Sequence, residues 1–249
     1  GSALVMIDGV EGDPAMLNPN DIASISILKD ASSAAIYGAR GAFGVVLITT
    51  KNPEKGRTSV TYSGSVVMKS PTQVPDMVTD ANLYATMFVE AYSSYYDYAR
   101  TPSTFHKSVP YNADWHEEMA NRPPGSGKPE VEIGSNGNYQ YFANNNWYEM
   151  LYKDRSFGNE HNIAIQGGTD RADFILSARY YTQDGVFRYN SDDYSMMNLR
   201  AKGSAQIFDW LKVENNVAIT QSNYFNPLTV ADGNVWYGLE SEAEPMSPM

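Results

Sequence analysis

Residues 27–51, ILKDASSAAIYGARGAFGVVLITTK, decide the fold, because they predict a helix, a glycine-rich corner and a strand in immediate succession. Asp30 is placed to cap a two-turn helix, and Gly38 is placed to end it. The β-branched run Val45–Thr50 then predicts a buried strand. Because so short a helix is unstable alone in water, we expect it to pack on neighbouring strands.

The residues before this stretch complete a small β-α-β unit. Leu4–Ile7 is typical of a short buried strand, and Asp8-Gly9 is a turn signal that ends it. Asn18, which a proline follows, is placed as the N-cap of a brief helix, and Ile25–Leu28 predicts a return to strand. Since the first strand is already under way at the first residues, we expect the chain to begin inside a domain.

The three glycines of the corner, Gly38, Gly41 and Gly44, invite interpretation as a phosphate-binding loop. In a dinucleotide-binding fingerprint, however, the glycines lie between a strand and the helix that follows it, whose N-terminus attracts the anion. Here the helix comes first, so its negative C-terminal end would face the loop. The glycines therefore predict tight turning. An S-x-x-K pattern at Ser26 and Lys29 falls in or beside a strand, which sends the two side chains to opposite faces.

Composition excludes several classes of function. The formal net charge of −11, with 18 Lys and Arg scattered along 249 residues, argues against a nucleic-acid partner. The absence of cysteine excludes disulfides, zinc-thiolate sites and cysteine nucleophiles, and the three histidines show no helical metal-pair spacing. The longest apolar run, GVVLIT, is too short for a transmembrane helix, whereas the half-polar strands of a membrane barrel agree with the mean hydropathy of −0.43.

From residue 58 the pattern changes to long alternating strands. Five are predicted: Thr58–Lys69, Asn159–Gly168, Asp173–Thr182, Tyr194–Ala205 and Leu211–Ser222. In the fourth, apolar or small residues at 197, 199, 201, 203 and 205 alternate with polar residues at 198, 200, 202 and 204. This periodicity fits a membrane barrel, and it also fits a soluble barrel or sandwich, because it does not say which face points inward.

Two features favour the membrane barrel. The connections between the strands alternate between long and short, as in outer-membrane barrels with long external loops and short periplasmic turns. Aromatic residues also collect near the strand ends, like the girdles at the two membrane interfaces. They are Tyr180, Tyr181, Tyr194, Phe208, Trp210, Tyr224 and Phe225.

The long connection contains the candidate binding residues. Its segment NGNYQYFANNNWY is rich in Asn and Tyr, which hydrogen-bond and stack on sugar rings but are also ordinary loop formers. The ligand-contact candidates are Tyr139, Tyr141, Asn144 and Asn145. Upstream, DANLYATMFVEAYSSYY predicts a helix whose i, i+4 pairs of apolar residues indicate packing against the rest of the loop.

A catalytic site is not predicted. The segment DWHEEM offers a histidine and the carboxylates Asp114, Glu117 and Glu118, which a glycan hydrolase could use as a pair. In so acidic a chain, however, we expect these carboxylates to be solvated. We therefore predict no catalytic residue, no metal site and no cofactor.

Three stretches together resemble one family. LVMIDGVEGD (residues 4–13), LNPNDIASISILKDASSAAIYGARGAFGVVLITTK (17–51) and HNIAIQGGTDRADFILSARYYTQDGVF (161–187) are similar to the SusC/RagA family of TonB-linked outer-membrane proteins. Two departures fall in loops and do not threaten the assignment: Phe43 stands where Asn is common, and Asn146 precedes Trp147 where Asp is expected.

The resemblance implies a mainly β chain with a small α/β plug portion, which is part of a transmembrane antiparallel β-barrel of about 22 strands with a plug domain inside. Residues 1–57 would be the C-terminal half of the plug. Residues 58–249 would be the N-terminal part of the barrel, with a long extracellular loop at about 70–158. Six residues would be structural positions of the plug: Asp8, Gly9, Asp30, Gly38, Gly41 and Gly44.

The resemblance also implies a function: TonB-dependent import of an oligosaccharide or peptide across the outer membrane of a Gram-negative, Bacteroidetes-like bacterium. A SusD-like lipoprotein would cover the outer mouth, and a TonB complex would supply energy through a segment that this chain lacks. Because sheet edges cannot stay open in lipid, the five strands would need the rest of the barrel. The competing hypotheses are a glycan-binding surface module or adhesin on a soluble β scaffold, and a hydrolase that uses the DWHEEM carboxylates.

Overall fold

The structure is a computed structural model that describes residues 2–54, 56, 58–74, 76–102, 113–123, 126–134, 137–188, 191–225 and 245–246. The chain divides into two compact units. The first unit comprises residues 1–69, 156–185 and 192–225, and the second comprises 70–155, 186–191 and 226–249.

The regular elements are the following. The strands in the described residues are β1 (Leu4–Ile7), β2 (Val10–Glu11), β3 (Ile22–Leu28), β4 (Val45–Thr50), β5 (Ser59–Lys69), β6 (Val131–Ile133), β7 (Tyr139–Tyr141), β8 (Ser156–Gly168), β9 (Ala172–Asp184), β10 (Asp193–Phe208) and β11 (Leu211–Phe225). The α-helices are α1 (Ala31–Ala34), α2 (Ala81–Tyr95), α3 (Ala113–Ala120) and α4 (Trp147–Leu151). Short 3-10 turns cover Pro14–Met16, Pro19–Asp21 and Ala35–Gly41.

The first unit contains a small sheet with the strand order β2-β1-β4-β3. Strands β1 and β4 are parallel, whereas β2 and β3 run antiparallel to their neighbours. Asp8 and Gly9 both have positive φ, 49° and 85°, and form the two-residue turn that a tight hairpin between β1 and β2 requires. The predicted strands and this turn are confirmed, and β3 starts three residues earlier than its predicted start at Ile25.

The predicted two-turn helix is only partly correct. One α-turn, α1, continues as 3-10 turns with a kink at Gly38, whose φ is 58°. Asp30 occupies the N-cap, but its side chain makes no capping hydrogen bond; instead its carbonyl oxygen accepts from the amides of Ser33 and Ala34. The tighter turns arise because the chain must enter β4 within a few residues of the kink.

The glycine corner is shaped by close packing, as predicted for a tight turn. A Cβ at Gly41 would lie 2.9 Å from the carbonyl oxygen of Ala34 and 3.2 Å from Cγ2 of Val45. Gly44 has a φ of 92°, which favours glycine. The helix and strand thereby close on a core of Leu4, Ala34 and Val45.

The first unit also contains a large antiparallel sheet with the order β11-β10-β9-β8-β5. All five predicted strands are confirmed, and four of them extend beyond their predicted ends. Short turns join β8 to β9 and β10 to β11. The sheet is open, with β5 and β11 at its edges.

The structure shows which face of the large sheet points outward. Leu199 is 41% exposed and its row neighbours Ile163 and Ile219 are exposed too, whereas the adjacent Asn198 is only 5% exposed. On the polar face, Asn162 and Ser177 are buried too. This orientation is the reverse of a soluble sandwich and is typical of an outer-membrane barrel wall.

The second unit packs around its own apolar core. The core residues are Ala81, Ala85, Trp115, Met119, Phe142 and Met246. The predicted helix is confirmed as α2; Tyr84 and Phe88 pack on this core, but Leu83 and Met87 are exposed. None of the helices in the described residues is long and apolar enough to cross a membrane.

Candidate functional site

A polar network joins the small sheet to the buried face of the large sheet within the first unit. Its centre is Asp8, which the β1–β2 turn places against strands β10 and β11. Asp8 Oδ2 accepts a hydrogen bond from Asn216 Nδ2 at 2.7 Å and lies 3.3 Å from Arg200 Nη1 and 3.6 Å from Lys202 Nζ. One carboxylate therefore contacts three side chains of the large sheet.

Thr50, at the end of β4, ties Asp8 to the small sheet. Its amide donates to Asp8 Oδ1 at 2.8 Å, and its hydroxyl donates to Oδ2. The same hydroxyl oxygen accepts from Arg200 at 3.4 Å and from Lys202 at 3.3 Å. Because Thr50 is fully buried, these bonds form away from solvent.

Asp21 provides a second contact to the same arginine. Asn18 caps the 3-10 turn Pro19–Asp21 by accepting from the Asn20 amide, and this turn points Asp21 at the large sheet. Ser177 Oγ donates to Asp21 Oδ2 at 2.9 Å, and Arg200 Nε lies 3.6 Å from the same oxygen. The guanidinium of Arg200 thus bridges two carboxylates of the small sheet.

A third contact uses the main chain. Asn198 Nδ2 and Thr220 Oγ1 donate to the carbonyl oxygen of Met16 at 2.8 Å and 3.0 Å. Asn198, like Arg200 and Lys202, belongs to the polar face of β10. The small sheet is therefore fastened at three points along one strand pair.

The pKa values of the two carboxylates, Asp8 and Asp21, are shifted in opposite directions. Burial alone would raise the pKa of Asp8, but the hydrogen bonds from Thr50 and Asn216 and the charge of Lys202 lower it below its usual 3.8. Burial raises the pKa of Asp21 above that value, and the Ser177 bond and the charge of Arg200 offset it only in part.

The sequence predicted part of this network. It assigned Asp8 and Gly9 to a structural turn, and the structure adds that Asp8 reaches the large sheet. It placed Arg200 and Lys202 on the polar face of a strand but did not pair them with any residue. The other four structural positions, Asp30, Gly38, Gly41 and Gly44, belong to the corner described above and lie outside the network.

The ligand-contact candidates lie in the second unit, and three of them have structural contacts. Asn144 Oδ1 accepts from the Ala81 amide at 2.8 Å and so helps to cap α2. Tyr141 packs on the apolar core, and its carbonyl oxygen accepts from Trp115 Nε1 at 2.9 Å. The Asn145 backbone amide donates to the carbonyl oxygen of Pro245 at 2.9 Å. Tyr139, on β7, is 60% exposed to solvent.

The DWHEEM residues lie on α3. Glu118 forms ion pairs with Arg122 and Lys128, and the hydrogen bond from Lys128 lowers its pKa. His116 Nδ1 lies 2.6 Å from Asn82 Oδ1, and burial lowers the histidine pKa. Nowhere in the described ranges do three His, Asp or Glu side chains group closely enough to hold a metal ion.

Comparisons with known proteins agree on one family. A model of the TonB-dependent Receptor Plug Domain matches residues 1–45. TonB-dependent receptor P3 of Formosa agariphila is 31% identical over 184 residues, which is 74% of this chain. TonB-dependent receptor SusC of Bacteroides thetaiotaomicron is 28% identical over 183 residues, or 73% of this chain. The matched region spans 14% of the length of each relative.

The fold has a counterpart among solved structures. The RagAB peptide importer, in its "open-open" state, matches with a TM-score of 0.63 and 24% identity. The match covers 90% of this chain and 24% of the importer chain. This likeness shows that the small and large sheets occur together in a larger protein.

The first prediction concerns Arg200. Replacing it with methionine leaves two largely buried carboxylates without their shared cation, which costs about 3 kcal/mol or more. In the full-length protein we expect Arg200→Met to speed hydrogen exchange of the β4 amides about 100-fold. The control is Arg40→Met, which removes an exposed pair with Glu11 and is worth at most about 1 kcal/mol. Equal exchange rates in the two variants would contradict the bridging role.

The second prediction follows from the opposite pKa shifts. Ionised Asp8 stabilises the folded state above pH 3.8, and this contribution is lost as pH falls through its lowered folded pKa. Asp8→Asn should therefore lower the thermal unfolding midpoint of the full-length protein at pH 7, and the deficit should shrink in acid. Because the folded pKa of Asp21 is raised, acidification should instead stabilise wild type relative to Asp21→Asn. Shifts of the same sign in both variants would refute the assignment.

Proposed function

The chain is a segment of a SusC/RagA-type TonB-dependent receptor, and on that premise we propose that the full-length protein imports nutrients across the outer membrane. The observation that carries the proposal is the orientation of the large sheet, whose apolar face is exposed and whose polar face is packed on the small sheet. An apolar outer face suits lipid, and a polar inner face suits a lumen. The small sheet lies against that inner face, where a plug belongs.

The proposed division of the chain follows this arrangement. Residues 1–57 form the C-terminal half of the plug, and residues 58–249 form the first part of the barrel wall. The connection at about 70–158 is then extracellular. Two observations support this: the turns from β8 to β9 and from β10 to β11 are short, whereas the connection from β5 to β8 carries a unit with its own core.

The proposed mechanism needs no covalent chemistry. The plug closes the lumen at rest, and the network of Asp8, Asp21 and Arg200 holds it on the wall. A TonB complex pulls on the N-terminal side of the plug and weakens these contacts, so that solute passes. Hydrogen bonds and ion pairs suit such a joint, because water can replace each of them when the surfaces part.

The proposed partners and substrates follow the relatives. The similar solved structure is that of the RagAB peptide importer, and SusC is a TonB-dependent receptor. We infer that this protein takes up an oligosaccharide or a peptide and that a SusD-like lipoprotein covers its outer mouth. The candidate ligand contacts in this proposal are Tyr139, which is 60% exposed, Tyr141, Asn144 and Asn145.

The competing adhesin hypothesis has less support. A soluble β scaffold would bury its apolar faces, but the large sheet exposes Leu199 and Ile163 and buries Asn198. The hydrolase hypothesis would need a free carboxylate pair, and of its three candidates Glu118 forms ion pairs with Arg122 and Lys128.

The third prediction tests import itself. Cells that express the full-length receptor should accumulate a labelled oligosaccharide or oligopeptide from the medium, and deletion of TonB should abolish accumulation without removing surface binding. The comparison is uptake per cell with and without TonB at equal receptor levels. Uptake that persists without TonB would refute energy coupling, and binding that is never followed by uptake would favour the adhesin.

The fourth prediction tests which side chains face lipid. Leu199 and Met87, 41% and 55% exposed, lie on the large sheet and on α2 of the second unit. An arginine on the lipid face near mid-membrane costs about 2–4 kcal/mol, whereas an arginine facing water costs little. Leu199→Arg should therefore reduce the folded receptor in the outer membrane, measured by heat-modifiable mobility, and Met87→Arg should not. Equal tolerance of both changes would contradict the membrane orientation.

A further inference from the structure

Four tyrosines lie together at the C-terminal end of α2, and the proposed function uses none of them. They are Tyr92, Tyr95, Tyr96 and Tyr98, which we call the tyrosine platform. Tyr95 is 80% exposed and Tyr98 is 66% exposed. Single aromatic side chains on a surface are ordinary, but a contiguous exposed group of them marks a binding surface.

The rings of the tyrosine platform hold one another in place. Phe88, which packs on the apolar core of the second unit, stacks on Tyr92 with ring centroids 6.5 Å apart. Tyr92 and Tyr96 follow at 4.9 Å, one helical turn apart, and Tyr95 meets Tyr96 edge to face at 4.9 Å. These separations are within the range of about 4.5–7 Å that favours aromatic pairs. The ring of Tyr95 is therefore positioned by Tyr96, while most of its surface stays open to solvent.

The chain after α2 turns back to add the fourth ring. Asp97 and Tyr98 have positive φ, 49° and 57°, a conformation that is unfavourable for residues with a side chain. The Tyr98 amide donates to the carbonyl oxygen of Ser93 at 2.7 Å, and its hydroxyl donates to Glu90 Oε1 at 2.6 Å. Glycine is the usual residue at such a helix end. A strained tyrosine in its place fits a binding site, where strained residues cluster.

Arg100 adds hydrogen-bond donors beside the rings. Its Cζ lies 5.1 Å from the centroid of the Tyr96 ring, which is a cation–π contact. Among the residues that the structure describes, none forms an ion pair with Arg100. Its planar guanidinium therefore lies against the tyrosine platform with N–H groups available to a ligand.

This chemistry suits a chain of pyranose sugars. The face of a pyranose carries C–H groups that pack on an aromatic ring, and its edge carries hydroxyls that bond to phenol and guanidinium groups. A peptide is typically held along a strand edge or in a groove for its side chains. The tyrosine platform lies at a helix end and exposes flat rings instead. Because the rings are already ordered, binding costs little conformational entropy.

We propose that the tyrosine platform binds oligosaccharide, with a sugar ring stacked on Tyr95 and sugar hydroxyls bonded to Arg100. The site lies wholly within the second unit, whereas the network of Asp8 and Arg200 belongs to the first. The inference rests on the proposed function for the extracellular placement of the connection at about 70–158. It also selects saccharide over peptide as the solute that is captured there.

The test applies the purified full-length receptor, in detergent, to an array of oligosaccharides and oligopeptides, and then measures the affinity of the retained saccharide by titration calorimetry. Tyr95→Ala should weaken that affinity about tenfold, as expected for the loss of a stacking contact. Tyr95→Phe keeps the ring and should bind nearly as tightly as wild type. Arg100→Met should weaken binding through the lost hydrogen bonds.

Met87→Ala is the matched control, because Met87 is 55% exposed on the same helix, and it should leave the affinity unchanged. An array that retains no saccharide, or an affinity that Tyr95→Ala does not change, would overturn the proposal. Retention of peptides that depends on Tyr95 would assign the tyrosine platform to peptide and overturn it too. The measurement contains no TonB, so its failure is distinguishable from a failure of import.

Discussion

A sheet that buries its polar face must find a hydrogen-bonding partner for the side chains on that face, since an unpaired buried polar group costs about 1–3 kcal/mol. In the first unit, the small sheet provides the hydrogen-bonding partners for the polar face of the large sheet. The small sheet supplies the hydrogen-bond acceptors: the carboxylates of Asp8 and Asp21, the hydroxyl of Thr50 and the carbonyl oxygen of Met16. The turns, caps and strand ends of the small sheet bring these groups to the large sheet.

Local patterns predicted the elements well, because strands and tight turns depend on neighbouring residues. Val45–Thr50 and the Asp8-Gly9 turn could be identified from β-branching and turn chemistry alone. The helix after Asp30 was predicted too long, because the close approach to β4 at Gly41 overrides helix propensity. The pairing of Arg200 with Asp8 joins residues 192 positions apart, and nothing local specifies such a contact.

The second unit shows why composition alone does not assign ligand contacts. Asn and Tyr suit sugars because they hydrogen-bond and stack, but the same properties cap helices and fill the edges of a core. Asn144 helps to cap a helix and Tyr141 packs on the core. These contacts can be recognised only once the fold is known. The sequence does not distinguish a ligand contact from a structural contact, since a side chain that contacts ligand and one that contacts a helix end have the same chemistry.

The polar character of the joint between the sheets has a thermal consequence. Burial of apolar surface carries a large heat-capacity change, and apolar contacts weaken on cooling. Polar surface contributes to heat capacity with the opposite sign, so a joint made of ion pairs and hydrogen bonds lacks that weakening. The small sheet should therefore stay fastened to the large sheet as firmly in the cold as in the warm.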